Sequence, residues 1–427
     1  MTTFRDFKLS ASLLKALDAM QIDTPTPIQS ASIPPLLDRR DVIGQAATGS
    51  GKTLAFGLPL VQCTKPGQRT PSALVVVPTR ELAQQVGAVL SQLLTGTGGR
   101  LAIVYGGRAI GPQITALRKG VQIVVGTPGR LVDLLQRGAL RLDRVRYLVL
   151  DEADEMLDRG FARDVERILG ATPDERQTAL FSATTPEWVH DVSAKYLHDP
   201  VVIELGVDEA LVPDIDHVVY EVRSEDKYDV LRRLLDESTT GGTLIFGRTK
   251  HGVRRMGQRL ERSGYRLGVL HGNLSQPQRD RVLRDFRSGK MPVLLATNVA
   301  ARGLDVLHIE RVINYDLPET HDLFTHRVGR TGRMGRAGRA ITLLGPADLT
   351  KWNKIERGLG RKLPRMTLDG EPIATPAPSN GAKNGAKRTR RRSGRRSAQR
   401  PRQTQHAGSA RAPSRQSPRR ARPRLRA

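Results

Sequence analysis

Two short stretches carry reactive side chains at spacings that chemistry can use. Ala46-Ala47-Thr48-Gly49-Ser50-Gly51-Lys52-Thr53 follows the apolar pair Val42-Ile43 and runs into Leu54–Leu60, which can start a helix. Gly49 and Gly51 let the backbone wrap an anion, and amides through Thr48 and Ser50 donate to it at a helix N-terminus. Lys52 balances the charge of a β/γ-phosphate, and the Thr53 hydroxyl can ligate Mg²⁺. The first position is Ala46, where the general phosphate-loop pattern has glycine, and a Gly-rich turn with a chance lysine is the competing reading. Asp151-Glu152-Ala153-Asp154 directly follows the apolar run Tyr147–Leu150, so the acids fall at the carboxyl end of a strand. There Asp151 can hold Mg²⁺, largely through water, and Glu152 can orient and deprotonate an attacking water. Taken alone, the same residues read equally as an acidic helix cap. Downstream of a phosphate loop that alternative loses most of its weight.

The elements that must position these groups follow an α/β pattern. Up to about Leu205, β-branched runs alternate with longer amphipathic stretches, which predicts a parallel sheet. Strands are expected over Leu74–Val77, Leu101–Tyr105, Ile123–Val125, Tyr147–Leu150 and Ala179–Phe181. The polar segment Gly206–Asp216, with Pro213 and four acids, breaks the pattern as a linker. The alternation then restarts, with strands expected over Thr243–Phe246, Leu267–Leu270, Val293–Ala296, Val312–Tyr315 and Ile341–Leu344. Two parallel sheets with ligand groups beyond their strand ends imply a site in the cleft between them.

Composition narrows the partners. The 427 residues carry a formal net charge of +26. Pro372–Ala427 holds 17 Lys or Arg and no Asp or Glu, which leaves +9 for the rest of the chain. Concentrated arginine suits a polyanion, and solubility alone does not require it at one end. The tail has almost nothing to bury and is expected to be disordered when free. Cys63 is the only cysteine, so an internal disulfide or a cysteine zinc cluster is excluded. With no signal core and no apolar run near the roughly 20 residues of a membrane helix, the sequence reads as cytoplasmic with no membrane role.

With the phosphate loop, the spelling DEAD and the segments below, the sequence from about Phe4 to Leu368 resembles the DEAD-box RNA helicases. The resemblance implies two tandem RecA-like domains: domain 1 over 1–206, a linker over 207–217, domain 2 over 218–368, and a disordered Arg-rich tail over 369–427. Pro25-Thr26-Pro27-Ile28-Gln29 matches the family's Q motif, with Phe4 upstream. A glutamine amide can pair in both directions with adenine N6 and N7, so Gln29 selects ATP over GTP. By resemblance Phe4 stacks on the adenine, while Phe7 is expected as a core contact. His326-Arg327-Val328-Gly329-Arg330-Thr331-Gly332-Arg333 matches motif VI, which implies Arg330 and Arg333 on the γ-phosphate. Outside that context the segment is better read as a solvated basic loop. In TNVAARGLD, similar to motif V, Thr297 is implied on an RNA phosphate and Asp305 on the ATP ribose. Asn298 stands where the family more usually has Asp.

A track for RNA is expected where further segments follow strands. Pro78-Thr79-Arg80-Glu81-Leu82, Gly106-Gly107 and Thr127-Pro128-Gly129-Arg130 offer hydroxyls, open backbone and guanidinium groups, which suit phosphates and 2′-OH groups and read bases poorly. Each is also compatible with an ordinary turn or helix start. They resemble motifs Ia, GG and Ib, and Leu244–Phe246, His271-Gly272, Gln276 and Arg279 resemble motifs IV and IVa in the second domain. Ser182-Ala183-Thr184 resembles motif III, which implies that Ser182 and Thr184 couple to Asp154, and His326 and Arg327 of motif VI are assigned to the same coupling; a helix N-cap is the alternative for the Ser182 segment.

The expected function is ATP-dependent separation of short RNA duplexes, or remodelling of RNA–protein complexes, by closure of two domains on single-stranded RNA. ATP and Mg²⁺ are the implied cofactors, RNA from ribosomal or messenger complexes the implied partner, and a monomer the expected state. The rivals are a DNA-acting translocase of the same superfamily and an RNA-annealing chaperone working through the basic tail.

Overall fold

The computed structural model describes residues 2–46, 49–205, 215–237, 239–301, 308–332, 337–367 and 371. Seven strands form the first sheet: β1 (Val42–Gln45), β2 (Ala73–Val76), β3 (Leu101–Val104), β4 (Ile123–Gly126), β5 (Tyr147–Asp151), β6 (Gln177–Ser182) and β7 (Val201–Glu204). Seven more form the second: β8 (Ile215–Glu221), β9 (Gly242–Gly247), β10 (Leu267–Leu270), β11 (Val293–Thr297), β12 (Ile309–Asn314), β13 (Gly338–Leu344) and β14 (Arg365–Met366). The first is ordered β3-β4-β2-β5-β6-β1-β7 and the second β10-β11-β9-β12-β13-β8-β14, one topology used twice. Every pairing in both is parallel, for example Val42 opposite Ala179 and Val201, or Leu294 opposite Leu244. These are two tandem RecA-like domains, and both belong to one unit, Met1–Thr375.

Parallel strands need crossovers, and the crossover helices bury both sheet faces, so the strands are apolar on both sides. Along β2, Ala73 and Val75 enter one core while Leu74 and Val76 enter the other. In β9, Ile245 and its neighbours Leu244 and Phe246 divide in the same way. The helix Arg80–Leu93 buries Leu82, Ala83, Val86, Leu90 and Leu93, one stripe at helical spacing.

The sequence pattern locates ten strands to within a few residues and misses others. β1, β7 and β14 are not predicted as strands: β1 offers only the apolar pair Val42-Ile43 and is half-buried at alternate positions, and the other two are short edge strands with exposed or half-buried positions. β8 overlaps the expected linker: 207–214 lie outside the described residues, but Ile215, Asp216 and His217 are already strand, paired with Gly338, Arg339 and Ala340. Its alternation of half-buried and polar residues hides it from a search for apolar runs. Apart from Glu371, the expected tail lies outside the described residues, as do its last neighbours 368–370.

Candidate active site and nucleic-acid interface

The phosphate loop begins where β1 ends. Gly49 and Gly51 have φ of 87° and 93°, a left-handed backbone that favours glycine, and Lys52 opens the helix Lys52–Cys63. A Cβ on Gly51 would also strike the Gln29 amide. Lys52 is 7% exposed and its Nζ donates to the Ala46 carbonyl at 2.9 Å. Thr53 follows it in the helix, and Thr48 lies outside the described residues. The Q motif builds the next wall. Thr26 caps the helix Pro27–Leu37, Pro27 takes the first position, and Gln29 the third, where its Oε1 accepts from the Thr26 amide at 2.9 Å. Its Nε2 donates to the Gly51 carbonyl at 2.9 Å, and the Thr26 hydroxyl to the Ser50 carbonyl at 2.8 Å. Gln29 therefore clamps the phosphate loop, and each end of its amide keeps one further hydrogen-bonding position.

Phe4 does not offer an open ring. It is 2% exposed in the first-domain core, edge-on to the half-buried Phe7 with centroids 6.1 Å apart.

Asp151 ends β5, and Glu152 turns the chain with φ of 54°, a strained conformation for a non-glycine. Both are buried, and among the described residues Asp151 Oδ1, Glu152 Oε2 and the Ser50 hydroxyl have no hydrogen-bond partner. Burial pushes the Asp151 carboxyl up to about 6, with Lys52 pulling the other way. Burial, then the neighbouring Glu155, holds Glu152 well above the usual carboxylate range, while the charge of Arg330 opposes them. Arg330, 5% exposed, thus brings a second-domain charge to the first-domain acid. Burial and closely spaced acids of this kind mark functional sites more often than scaffolding. Arg333 and Asp305 lie outside the described residues.

The spelling DEAD also connects to motif III. The Asp154 amide donates to the Ser182 hydroxyl at 3.3 Å, and Asp154 Oδ2 accepts from the Thr184 amide and hydroxyl at 2.9 Å each. From the second domain, His326 Nε2 reaches 4.0 Å from the same oxygen. Arg327 does not cross the cleft. It is buried inside its own domain, donating to Asn298 Oδ1 at 2.6 Å, Asn314 Oδ1 at 2.9 Å and the Asp316 carbonyl at 2.6 Å, with Phe246 beneath it. Asn298 therefore keeps one bond to Arg327 and gives it no charge. Desolvation lowers the Arg327 pKa to about 9.

The expected RNA groups divide. All lie beyond carboxyl ends of strands, and Gly107, Gly129 and Gly272 are exposed, with Gly106 and Arg130 half-buried beside them. Arg130 donates to the Arg108 carbonyl at 3.1 Å and has a buried Nη1 without a partner among the described residues. Thr297, at the end of β11, is 9% exposed and Thr127 is 7% exposed. Thr79 is 3% exposed, its hydroxyl already capping a helix through the Leu82 amide at 3.0 Å. The long side chains instead join the domains. Arg80 Nη1 donates to Gln276 Oε1 at 2.7 Å, and Arg279 pairs with Glu81 at 2.8 Å. Arg80 also lies over Gly107, where any Cβ would collide with it. These three were expected on the RNA track; at the boundary between the two domains their polar groups pair with one another and with Glu81. Glu81 and Glu155 were not singled out in the sequence; Glu81 stands inside PTREL, and its buried partner was the missing signal.

The family model described as DEAD/DEAH box helicase matches residues 26–192, and that described as Helicase conserved C-terminal domain matches 226–335. The DEAD-box ATP-dependent RNA helicase CshA of Geobacillus kaustophilus is 44% identical over 372 residues, 86% of this chain and 80% of that protein. CshA of Bacillus subtilis is 43% identical over 370 residues, 86% of this chain and 75% of that protein. Saccharomyces cerevisiae Dbp5 bound to RNA and ADP BeF3 superimposes with a TM-score of 0.79 at 33% identity, covering 86% of this chain and 96% of that one. Sequence kinship and the shared two-domain architecture lead to one conclusion: the chain belongs to the DEAD-box ATP-dependent RNA helicases.

Proposed function

We propose that this protein hydrolyses ATP in a site shared by its two domains and uses closure on single-stranded RNA to separate short duplexes or remodel RNA–protein complexes. The observation that carries the reading is the charge of second-domain Arg330 acting on buried Glu152, beside carboxylate oxygens without a hydrogen-bond partner among the described residues. Lys52 and the loop amides hold the β/γ-phosphates. Glu152, with its raised pKa, takes a proton from water as the water oxygen attacks the γ-phosphorus and the bond to the β-phosphate oxygen breaks. Arg330 offsets the charge that develops there, and Arg333 is assigned the same task by its motif. Gln29 orients the adenine through its remaining donor and acceptor, and Asp305 holds the ribose. Adenine stacking on Phe4 requires that ring to be uncovered.

The unpartnered Asp151 Oδ1 fits a Mg²⁺ site held by Asp151 and Thr53, largely through water. When bound, that ion neutralises phosphate charge. Asp154, Ser182, Thr184 and His326 couple nucleotide state to the cleft. Thr127, Gly129, Arg130, Gly106, Gly107, Gly272 and Thr297 form the RNA edge. The reading as a cytoplasmic enzyme goes with that RNA substrate; among the described residues no helix is long and apolar enough to cross a membrane. Steady-state ATP hydrolysis with single-stranded RNA, DNA or neither tests the assignment. RNA alone should stimulate turnover, and equal stimulation by DNA would favour a DNA translocase.

A further inference from the structure

A chain of hydrogen bonds crosses the domain boundary beside the RNA edge, and its centre, Asp280, has no part in the proposed cycle. Asp280 lies in the second-domain helix Gln276–Arg287. Its Oδ2 accepts from Arg108 Nη2 of the first domain at 2.9 Å, and its Oδ1 from Gln276 Nε2 at 2.8 Å. Gln276 Oε1 accepts in turn from Arg80 Nη1 of the first domain at 2.7 Å. One carboxylate thus answers two first-domain arginines, one directly and one through an amide.

Those two arginines bracket the turn Gly106-Gly107. Arg80 lies over Gly107, and Arg108 follows it in the chain. The first domain fixes Arg108 from its own side, since the guanidinium sits over the Tyr105 ring, 5.7 Å from its centroid. Tyr105 is itself held by Gln84, which donates to its hydroxyl at 2.7 Å, and by the Gln113 amide, which bonds both of its backbone groups. The Arg108 carbonyl accepts from Arg130 Nη2 at 3.1 Å, so the place of Arg108 is passed on to Arg130. The sign of Asp280 is the unexpected part. On charge alone, a carboxylate beside a track for a polyanion opposes binding. Here both of its oxygens are taken up by ties that converge on the RNA edge.

We infer that Asp280 is a positioning residue for the RNA edge, with Arg108 as its partner; this rests on the reading that Gly106, Gly107 and Arg130 bind RNA. In the closed arrangement its two oxygens hold Arg108 and, through Gln276, Arg80 on either side of Gly106-Gly107. That sets the open backbone and Arg130 for the sugar-phosphate chain. When the domains part, the edge loses this support, so closure and RNA binding reinforce each other.

The test is steady-state hydrolysis at saturating ATP, with polyuridylate titrated into the full chain and into its Asp280→Ala, Arg108→Ala and doubly substituted variants. Both side chains are partly exposed, so the variants should stay folded, which circular dichroism and the rate without RNA check. Asp280→Ala should raise the RNA concentration for half-maximal stimulation about threefold to fivefold, the scale of one partly exposed ion pair, with the maximal rate unchanged. The direction decides, because removing an acid that acted only by its charge would tighten RNA binding. Since the two residues act through one contact, the double variant should fall short of the product of the two single effects. A half-saturating RNA concentration that is unchanged or lowered by Asp280→Ala overturns the proposal, and so do single effects that multiply in full. A parent chain that RNA does not stimulate would instead sink the functional reading, and this inference with it.

Discussion

At equivalent places in the two sheets, the helix after the first strand opens on a buried lysine: Lys52 after β1 and Lys227 after β8, each 7% exposed. Their surroundings differ in kind. Lys52 follows a loop with two left-handed glycines and stands near Asp151 and Glu152, which each have a buried oxygen without a partner among the described residues. Lys227 follows Ser224-Glu225-Asp226, without glycine, and donates to Asp348 Oδ2 and the Tyr315 carbonyl at 3.3 Å each. Asp316, just beyond β12, accepts from the Arg248 amide at 2.8 Å. One fold thus carries a site whose charges await a ligand and a counterpart whose charges answer each other. Strand order therefore supplies a place for chemistry, and local polar balance decides whether chemistry occurs there.

If the second domain contributes a charge to the first domain's site and no site of its own, Arg330→Ala should lower RNA-stimulated hydrolysis by about 10³ to 10⁵, the scale of an arginine finger. Nucleotide affinity should change little. Turnover near the parent value in a steady-state assay would reduce the second domain to a cover. Glu152→Gln should lower the same rate by about 10² to 10⁴ and hold ATP and RNA in a long-lived complex, measurable by filter binding.

Stability probes the comparison from the other side. The Asp151 carboxyl, raised to about 6 by burial with Lys52 opposing, favours its protonated form when folded. The ligand-free protein therefore has that contribution in full below the unfolded value near 4 and loses it as pH rises through 6. Asp151→Asn should stabilise it by roughly 3 kcal/mol at pH 7, an advantage that disappears toward pH 4, while hydrolysis is lost. Asp348→Asn should do the reverse and destabilise the chain by roughly 1 to 3 kcal/mol, since Lys227 is left buried without its carboxylate. Denaturant titrations of both variants would break the comparison if the two shifts had the same sign. The smallest expected effect sharpens it. Asn298→Asp should give Arg327 a charged partner and raise second-domain stability by roughly 1 kcal/mol in the same measurement.

Short-range spelling made much of this legible. The glycines before Lys52, the acids after Tyr147–Leu150 and the Thr26-Pro27-Ile28-Gln29 cap act over a few residues, and their chemistry follows from type and spacing. Parallel strands buried on both faces read as apolar runs, so ten of the fourteen were recognisable, whereas β1, β7, β8 and β14 have positions that are half-buried, exposed or polar. What only the tertiary structure decided are meetings between distant residues. Arg80 and Gln276 are 196 positions apart, and Glu81 and Arg279 are 198 apart, so neither pair leaves a local pattern. The same is true of Gln29 on the phosphate loop, of Arg327 turned inward onto Asn298, and of Phe4 enclosed by the core. In the sequence each was a side chain with several possible partners. Packing selects one, because a polar group removed from water must be satisfied by whatever the fold brings beside it.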